Sequence, residues 1–595
     1  MNLLQKTGIA LFIAALLIFT AMLGLGGNKL STADLPVDNQ YHKAAISAAL
    51  ELEGLAGTTV PSIAAIGKVK SAIKVAQKQL DEQAKTALPE GVGEWDYRMG
   101  DGWIKGYVSS IIKQSATGPV QDNPWLFLFL TFGLAIIGGL LFILPKFREH
   151  EGIKHNGIYH DSLTRGLKLN IRSAFLGLTI VGTLAWGYMY MGGQYFWPLV
   201  TAVVGGLITY LVFYKDKSKG LEPQRSASPI HTGWLGVIAG VYLIGFYILL
   251  YWAPSYINNW VTMVNPVSKM LSGGEASQWF LYGLMYTVIV IVMGIRMLSK
   301  YQHNKYQQVR TLSVMFFQTA FAFLIPEMLV RFNQPWFDFK NIWPLDYDFF
   351  FDWNLQQLTS SGNMGLFMLV WGLLLMIVGV PVFVYFFGKR WYCSWVCGCG
   401  GLAETMGDPF RQLSDKSMRA WKYERYIIHG VLAFAVIMTI MVLYTYFTGS
   451  RQILMFNSDT VRQWYGFLIG SAFAGVVGTG FYPLMGNRVW CRFGCPLAAY
   501  LGLVQRFRSR FRITTNGGQC ISCGNCSTYC EMGIDVRSYA QRGQNIVRSS
   551  CVGCGVCAAV CPRGVLRLEN GPDTGESRVD ELKTIHITED SIGIL

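Results

Sequence analysis

Cys520-Ile521-Ser522-Cys523-Gly524-Asn525-Cys526-Ser527-Thr528-Tyr529-Cys530 and, after a further 20 residues, Cys551-Val552-Gly553-Cys554-Gly555-Val556-Cys557-Ala558-Ala559-Val560-Cys561-Pro562 repeat one spacing, C-x2-C-x2-C-x3-C. Three closely spaced thiolates wrap three irons of one cubane, and the fourth cysteine of each run serves the other cluster. One [4Fe-4S] cluster is therefore expected on Cys520, Cys523, Cys526 and Cys561, and a second on Cys551, Cys554, Cys557 and Cys530. Gly524, Gly553 and Gly555 leave room for backbone amides to approach the sulfides. Glu531 stands where the second run has proline, a change expected to shift potential without stopping ligation. A zinc ribbon pairs two C-x2-C knuckles over a single tetrahedral ion, whereas each run here offers four thiols in one stretch. The expectation for residues 506–570 is an α+β, two-cluster bacterial ferredoxin-like domain.

All 13 cysteines follow residue 390, and their number is odd. That argues against a secreted disulfide framework and for a reducing compartment around the tail. The rest of the chain reads differently. Of its 595 residues 52% are hydrophobic and 14% charged, where soluble domains carry about a quarter charged residues. The formal net charge of +14 is explained by basic loops flanking lipid spans, and no nucleic-acid-binding motif accompanies it.

Ten apolar stretches are long enough to cross a bilayer as helices: 8–26, 125–144, 173–191, 195–214, 233–252, 278–295, 311–330, 364–387, 427–447 and 464–485. Loops 146–171, 215–232, 299–310 and 388–426 hold 19 lysines and arginines, against 5 in the alternate loops. The positive-inside rule puts the first set and the C-terminal tail in the cytoplasm. The first stretch is read as a retained helix, because Gly24-Leu25-Gly26-Gly27 is a poor small-x-small cleavage site. The fold class is thus mainly α, a polytopic helical membrane protein of about ten spans with a ferredoxin-like tail. Its domains are a first membrane helix (1–27), an external helical segment (28–122), a membrane region of about five spans (123–300), a four-span core (301–505), the ferredoxin domain (506–570) and a tail (571–595). The external segment has no haem-attachment motif and reads as a cofactor-free cap or docking surface.

Two further cysteine pairs lie just past spans, Cys393-x3-Cys397 and Cys491-x3-Cys495-Pro496. Residues four apart on a helix share a face, so each pair offers two soft ligands suited to copper(I) or an iron-sulfur cluster. Two matching pairs at equivalent span ends argue against inert buried thiols. Arg390 and Arg492 are expected to favour thiolate. Cys399 is a substitute ligand ranked below the four.

Four spans, a C-x3-C motif after the second and the fourth, and a trailing two-cluster ferredoxin resemble the membrane polyferredoxins of the NapH, NosR and CcoG type, over residues 311–570. The first motif departs from that pattern in having Gly398 for proline and the extra Cys399. The front half and residues 28–122 add to it without the large flavin-carrying domain of NosR types. The resemblance implies a multi-pass protein of the bacterial inner membrane with a cytoplasmic ferredoxin domain. NapH types act as quinol dehydrogenases for periplasmic nitrate reductase, NosR types support nitrous oxide reductase, and CcoG types reduce copper during oxidase assembly.

Glu327, near the outer end of the seventh span, is a candidate proton acceptor for quinol oxidation, with an ion pair to Arg331 as the competing explanation. The loop 331–363 mixes Trp336, Trp343, Tyr347 and Trp353 with Asp338, Asp346, Asp348 and Asp352. It reads as an interfacial aromatic belt with solvated acids, or as a dock for a basic partner. His231, His303 and His429 show no spacing that suggests stacked haems. The basic stretch Arg506–Arg512 reads as a positive-inside stop signal, or as one that also clamps the ferredoxin against anionic lipid. Electrons at cytoplasmic clusters are separated from the outside by about 30 Å of hydrocarbon, so a mobile quinone or a centre at the C-x3-C pairs is expected to complete the route. The leading expectation is exchange of electrons between the quinone pool and a respiratory oxidoreductase or cytochrome. The alternative is a copper-reducing or metalloenzyme-maturation accessory protein.

Overall fold

The computed structural model describes residues 2–32, 35–86, 97–147, 234–453, 455–516, 519–571, 585–588 and 591–594, and it is mainly helical. The expected spans 173–191 and 195–214, most of loop 146–171, loop 215–232, His231 and most of the tail 571–595 lie outside the described residues. Two compact units emerge, residues 1–149, 248–288 and 326–333, and residues 150–247, 289–325 and 334–595.

Among the described residues, six helices are long and apolar enough to cross a membrane: Leu3–Gly24, Pro124–Ile143, Gln278–Lys300, Lys305–Arg331, Gly362–Phe387 and Met418–Thr448. The count of ten is not supported. The stretch 233–252 qualifies only with Pro254–Met263, across a bend of 108°. The stretch 464–485 is not one helix: it runs helically to Val477, turns at 478–480 and resumes only as Tyr482–Met485. Hydropathy averages over this break. Glycines at 466, 470, 475, 478 and 480 keep the segment apolar, but they make a weak helix. A Cβ at Gly480 would meet the Ile244 side chain at 2.5 Å.

In the first unit, helices Gln40–Leu52, Ser62–Thr86 and Asp101–Ser115 pack around Ile46, Leu50, Val69, Ile73 and Ile111. A small antiparallel sheet, Thr59–Pro61 beside Gly27–Lys29 beside Ala116–Thr117, ties their ends together. His42 is buried and shares a 2.8 Å hydrogen bond with the Tyr107 hydroxyl. The helices Leu3–Ala21 and Leu134–Ile143 cross at Gly8 and Gly138. A Cβ on either glycine would sit 2.6 Å from the other's carbonyl oxygen, the small-residue contact by which membrane helices approach closely.

In the second unit, residues 334–351 depart from the reading of loop 331–363, while Trp336, Asp352 and Trp353 stay exposed. Residues 334–351 form irregular turns, but they do not lie in a solvated belt. Ile342 and Phe351 belong to the same buried core as Tyr392, Cys393 and Cys397. The Trp343 indole donates to Thr439 Oγ1 at 3.0 Å, and the Trp371 indole donates to the Phe339 carbonyl at 2.8 Å. Thr439 and Trp371 lie well inside two different spans, so the segment is inserted between them. Phe349 fills the space over Gly372, and Tyr347 the space over Gly470. Asp338 is enclosed with it, paired with Lys340 at 3.0 Å, their side chains 10% and 9% exposed. An apolar loop gains more from burial than from an interface, and its indoles find partners inside. Irregular backbone at membrane depth is tolerated where protein encloses it.

Topology is open to direct measurement. The loop charges predict that residue 590 is cytoplasmic and residue 60 external, so reporter fusions at the two sites should give opposite readouts. The same readout at both would overturn the orientation.

Candidate functional site

The ferredoxin lobe is built on a two-stranded antiparallel sheet, Arg512–Thr515 against Leu566–Glu569. Each cysteine run wraps into a loop and then a short helix, Asn525–Thr528 or Val556–Ala559, entered through a glycine in the left-handed region: Gly524 at φ 81° and Gly555 at φ 74°. Other residues rarely adopt that backbone, and at Gly555 a Cβ would also strike the Tyr306 ring at 2.8 Å. Cys520, Cys523, Cys526 and Cys561 line one cavity together with Gly524 and Pro562. Burial pushes the Cys526 thiol up to about 12, and nearby Cys561, Cys523 and Cys520 add to it. Burial likewise raises Cys557, with Cys554, Cys551 and Cys530 beside it. The fourth cysteine of each run thus sits with the first three of the other. Thiols held this high lose their protons to a bound cation, and two sets of four soft donors around glycine-lined loops fit [4Fe-4S] clusters.

The C-x3-C pairs do not lie along continuous α-helices as expected. Cys393 ends the short helix Arg390–Cys393, and Cys397 begins the next, Gly398–Thr405, in an extended conformation. Cys491 lies in the wide turn Trp490–Gly494, and Cys495 caps Pro496–Arg508, accepting from the Ala498 N–H at 3.4 Å. The two motifs fold alike in that the first cysteine lies in a short helical element and the second opens the next helix. All four thiols are buried in one core. Burial raises Cys495 well above the usual thiol range, with Cys491, Cys393 and Cys397 as its neighbours. The Cys399 thiol shares a hydrogen bond with Cys397, lowering Cys397 and raising itself. Cys399 therefore stands as a partner of Cys397.

Comparison with known proteins agrees with this geometry. A family model described as a 4Fe-4S dicluster domain matches residues 519–566, and one described as a 4Fe-4S binding domain matches twice, at 369–417 and 466–514. These are 4Fe-4S binding domains. The duplicated match covers both C-x3-C motifs and marks them as an internal repeat, which explains their common local fold. The chain is similar to the putative electron transport protein YccM of Escherichia coli (25% identical; 26% of this chain, 44% of the relative). It is similar also to the methylamine utilization ferredoxin-type protein MauN of Methylobacillus flagellatus (28% identical; 25% and 51%). Each match spans about half the length of the curated relative. No solved structure matches.

Side chains from three elements dock the second ferredoxin run onto the thiol pairs. Gln505 donates to the carbonyls of Arg548 and Cys551 (2.7 and 3.0 Å), Ser394 to Val552 (2.8 Å), Tyr306 to Gly553 (2.9 Å) and Gln307 to Cys554 (2.8 Å). Arg510 from the basic stretch lies over the Tyr385 and Phe386 rings and donates its N–H to the Tyr385 carbonyl. This part of the stretch grips the protein, while Arg506, Phe507 and Arg508 stay exposed.

The charges around the thiols differ from those expected. Arg390 stacks on Phe511, and Arg492 pairs with Glu424 at 2.7 Å. It is Arg488 that reaches a thiol, donating to Cys491 Sγ at 3.6 Å and to the Cys393 carbonyl at 3.2 Å. Arg488 also pairs with Glu404 and, at 3.0 Å, with Glu531. Glu531 pairs with Arg411 at 2.8 Å, Glu404 with Arg310, and Asp408 with Arg411, Arg296 and Lys300. Breaking a buried pair by removing one partner costs about 3–5 kcal/mol, so this network also locks the lobe in place. Sequence reading missed it because Arg310 and Arg411 had already been counted as positive-inside charges. The carboxylate at 531, in the position of a proline, was the available signal. Glu327 is half-buried and belongs to the first unit, while every cysteine belongs to the second; Arg331 donates to the Met270 carbonyl at 3.2 Å.

Proposed function

We propose that this protein is a membrane-bound iron-sulfur electron carrier that exchanges electrons between the quinone pool and a respiratory partner, with its ferredoxin lobe in the cytoplasm of a bacterial inner membrane. The observation that carries this reading is the docking of the second C-x2-C run, through the carbonyls of residues 548–554, onto the elements that bear the buried thiol pairs. Three groups of thiols then lie in one continuous core, an arrangement for passing electrons rather than for storing metal. [4Fe-4S] clusters bound by these cysteines supply the one-electron chemistry. The chain itself positions the thiols, excludes water and supplies charge. A quinol releases two electrons and two protons, so two one-electron acceptors, one proton acceptor in the protein and solvent for the second proton complete the balance. The inserted segment 334–351 brings Asp338, Lys340 and Asp346 into the same core region, with Lys340 near Cys397 and Cys399.

The test is reduction of the lobe's clusters by a soluble quinol analogue in the anaerobically purified, membrane-reconstituted protein. Cluster bleaching at catalytic rates is expected, and none at any quinol concentration would sink the reading. Glu327 is the proton acceptor proposed for that step. Glu327→Gln should then slow cluster reduction by roughly 10²-fold, as expected for a lost general base, with iron content unchanged. An undiminished rate removes Glu327 from the mechanism.

A further inference from the structure

Arg488 touches both ends of the proposed route. Its guanidinium is 1% exposed. On one side it donates to Cys491 Sγ and the Cys393 carbonyl, and on the other it pairs with Glu531. Glu531 is fully buried and directly follows Cys530, the thiol that sits with Cys551, Cys554 and Cys557. One guanidinium and one carboxylate therefore span the distance between two groups of thiols, with no water-exposed atom between. The Asn487 amide and the Arg411 guanidinium hold the other oxygen of Glu531, at 3.3 and 2.8 Å.

The charge count gives the bridge a direction. Among the described residues, Arg296, Lys300, Arg310, Arg411 and Arg488 pair with three carboxylates, Glu404, Asp408 and Glu531. An excess of positive charge at a buried site needs a compensating anion. A cubane held by four thiolates is anionic in either redox state; Cys491 of the first group lies beside Arg488, and Cys554 of the second lies near Arg310, Arg411 and Arg488. Net charge and hydrogen bonds to sulfur are what set the potential of such a centre, and a guanidinium keeps its charge when buried.

We propose that Arg488 and Glu531 form a charge bridge that couples the centre at Cys393, Cys397, Cys491 and Cys495 to the ferredoxin centre at Cys530, Cys551, Cys554 and Cys557. Arg488 raises the potential of the first centre and Glu531 lowers that of both. They are positioning residues, acting through charge on sulfur. The inference rests on the proposal that the four membrane-edge thiols hold a redox centre.

The experiment is a redox titration followed by EPR on the full-length protein, with iron content measured alongside. Glu531→Gln, nearly the same shape, should shift both centres to higher potential. Arg488→Gln should shift the first centre lower, and Arg488→Lys should restore most of that shift by returning the charge. If Arg488→Gln does not fold, the Lys and Glu531 variants still decide the matter. Unmoved potentials in either centre of Glu531→Gln overturn the bridge while leaving the electron-carrier reading intact. Wild-type protein whose four thiols hold no redox centre overturns both.

Discussion

Anaerobically purified Cys526→Ser protein should hold about half of the roughly eight irons expected in the tail, and Cys561→Ser should match it. Cys526 and Cys561 come from different runs, yet both line the cavity with Cys520 and Cys523. Serine offers a hard oxygen where soft thiolate selects iron-sulfur clusters, so either change should empty that one site. Cys530→Ser should instead behave like Cys557→Ser, because Cys530 sits with the other run. The magnetic coupling between two reduced cubanes should vanish in all four variants, since each leaves a single cluster. The pairing of phenotypes across the runs is the informative result. If Cys526→Ser and Cys530→Ser lose the same signal, each run holds its own cluster and the crossed arrangement is wrong. Stoichiometric zinc without iron would end the iron-sulfur reading altogether.

The ferredoxin lobe was legible because its chemistry is local. Eight cysteines at fixed spacing specify the loops, and Gly524 and Gly555 supply the backbone that those loops need. Spans were legible where hydropathy and helix propensity agree, as in Gly362–Phe387. They were misread where the two part, as in 464–485, whose glycines are apolar in composition and helix-weak in backbone. Loop 331–363 failed for a different reason. An aromatic-rich, acid-bearing segment has the same composition whether it lies at an interface or plugs a gap between spans. The small residues opposite it, Gly372 and Gly470, distinguish the cases, and they lie 23 and 123 residues from the rings they receive, in two other helices. The ion-pair network was invisible for the same reason of distance. Arg488 and Glu404 are 84 residues apart, and each alone reads as a loop charge at a membrane edge. The helix expectation for the C-x3-C pairs missed because Cys397 and Cys495 each leave the helical conformation and cap a new helix. Spacing alone does not distinguish that arrangement from an unbroken turn.

The double change Cys393→Ser with Cys491→Ser should abolish electron transfer from quinol to the lobe while leaving the lobe's own clusters in place. One cysteine is removed from each repeat, so at most two thiols remain, Cys397 and Cys495, with Cys399 as the nearest substitute. Two thiols do not hold a cubane, and total iron should fall by about four if a third cluster resides there. The fold should survive. Cysteine and serine are nearly isosteric, Arg488 keeps its contacts with Glu404, Glu531 and the Cys393 carbonyl, and the docking bonds to residues 548–554 use none of the four thiols. Each new hydroxyl is buried and costs about 1–3 kcal/mol if it finds no partner, well below the loss expected from breaking the ion-pair network. Copper lost in place of iron would move the protein to the copper-handling reading, with the same residues as ligands. Unchanged metal content together with an unchanged transfer rate would make the pairs structural. The electron route would then need a donor that reaches the lobe directly from the cytoplasm, by way of Cys523, the most exposed of its thiols.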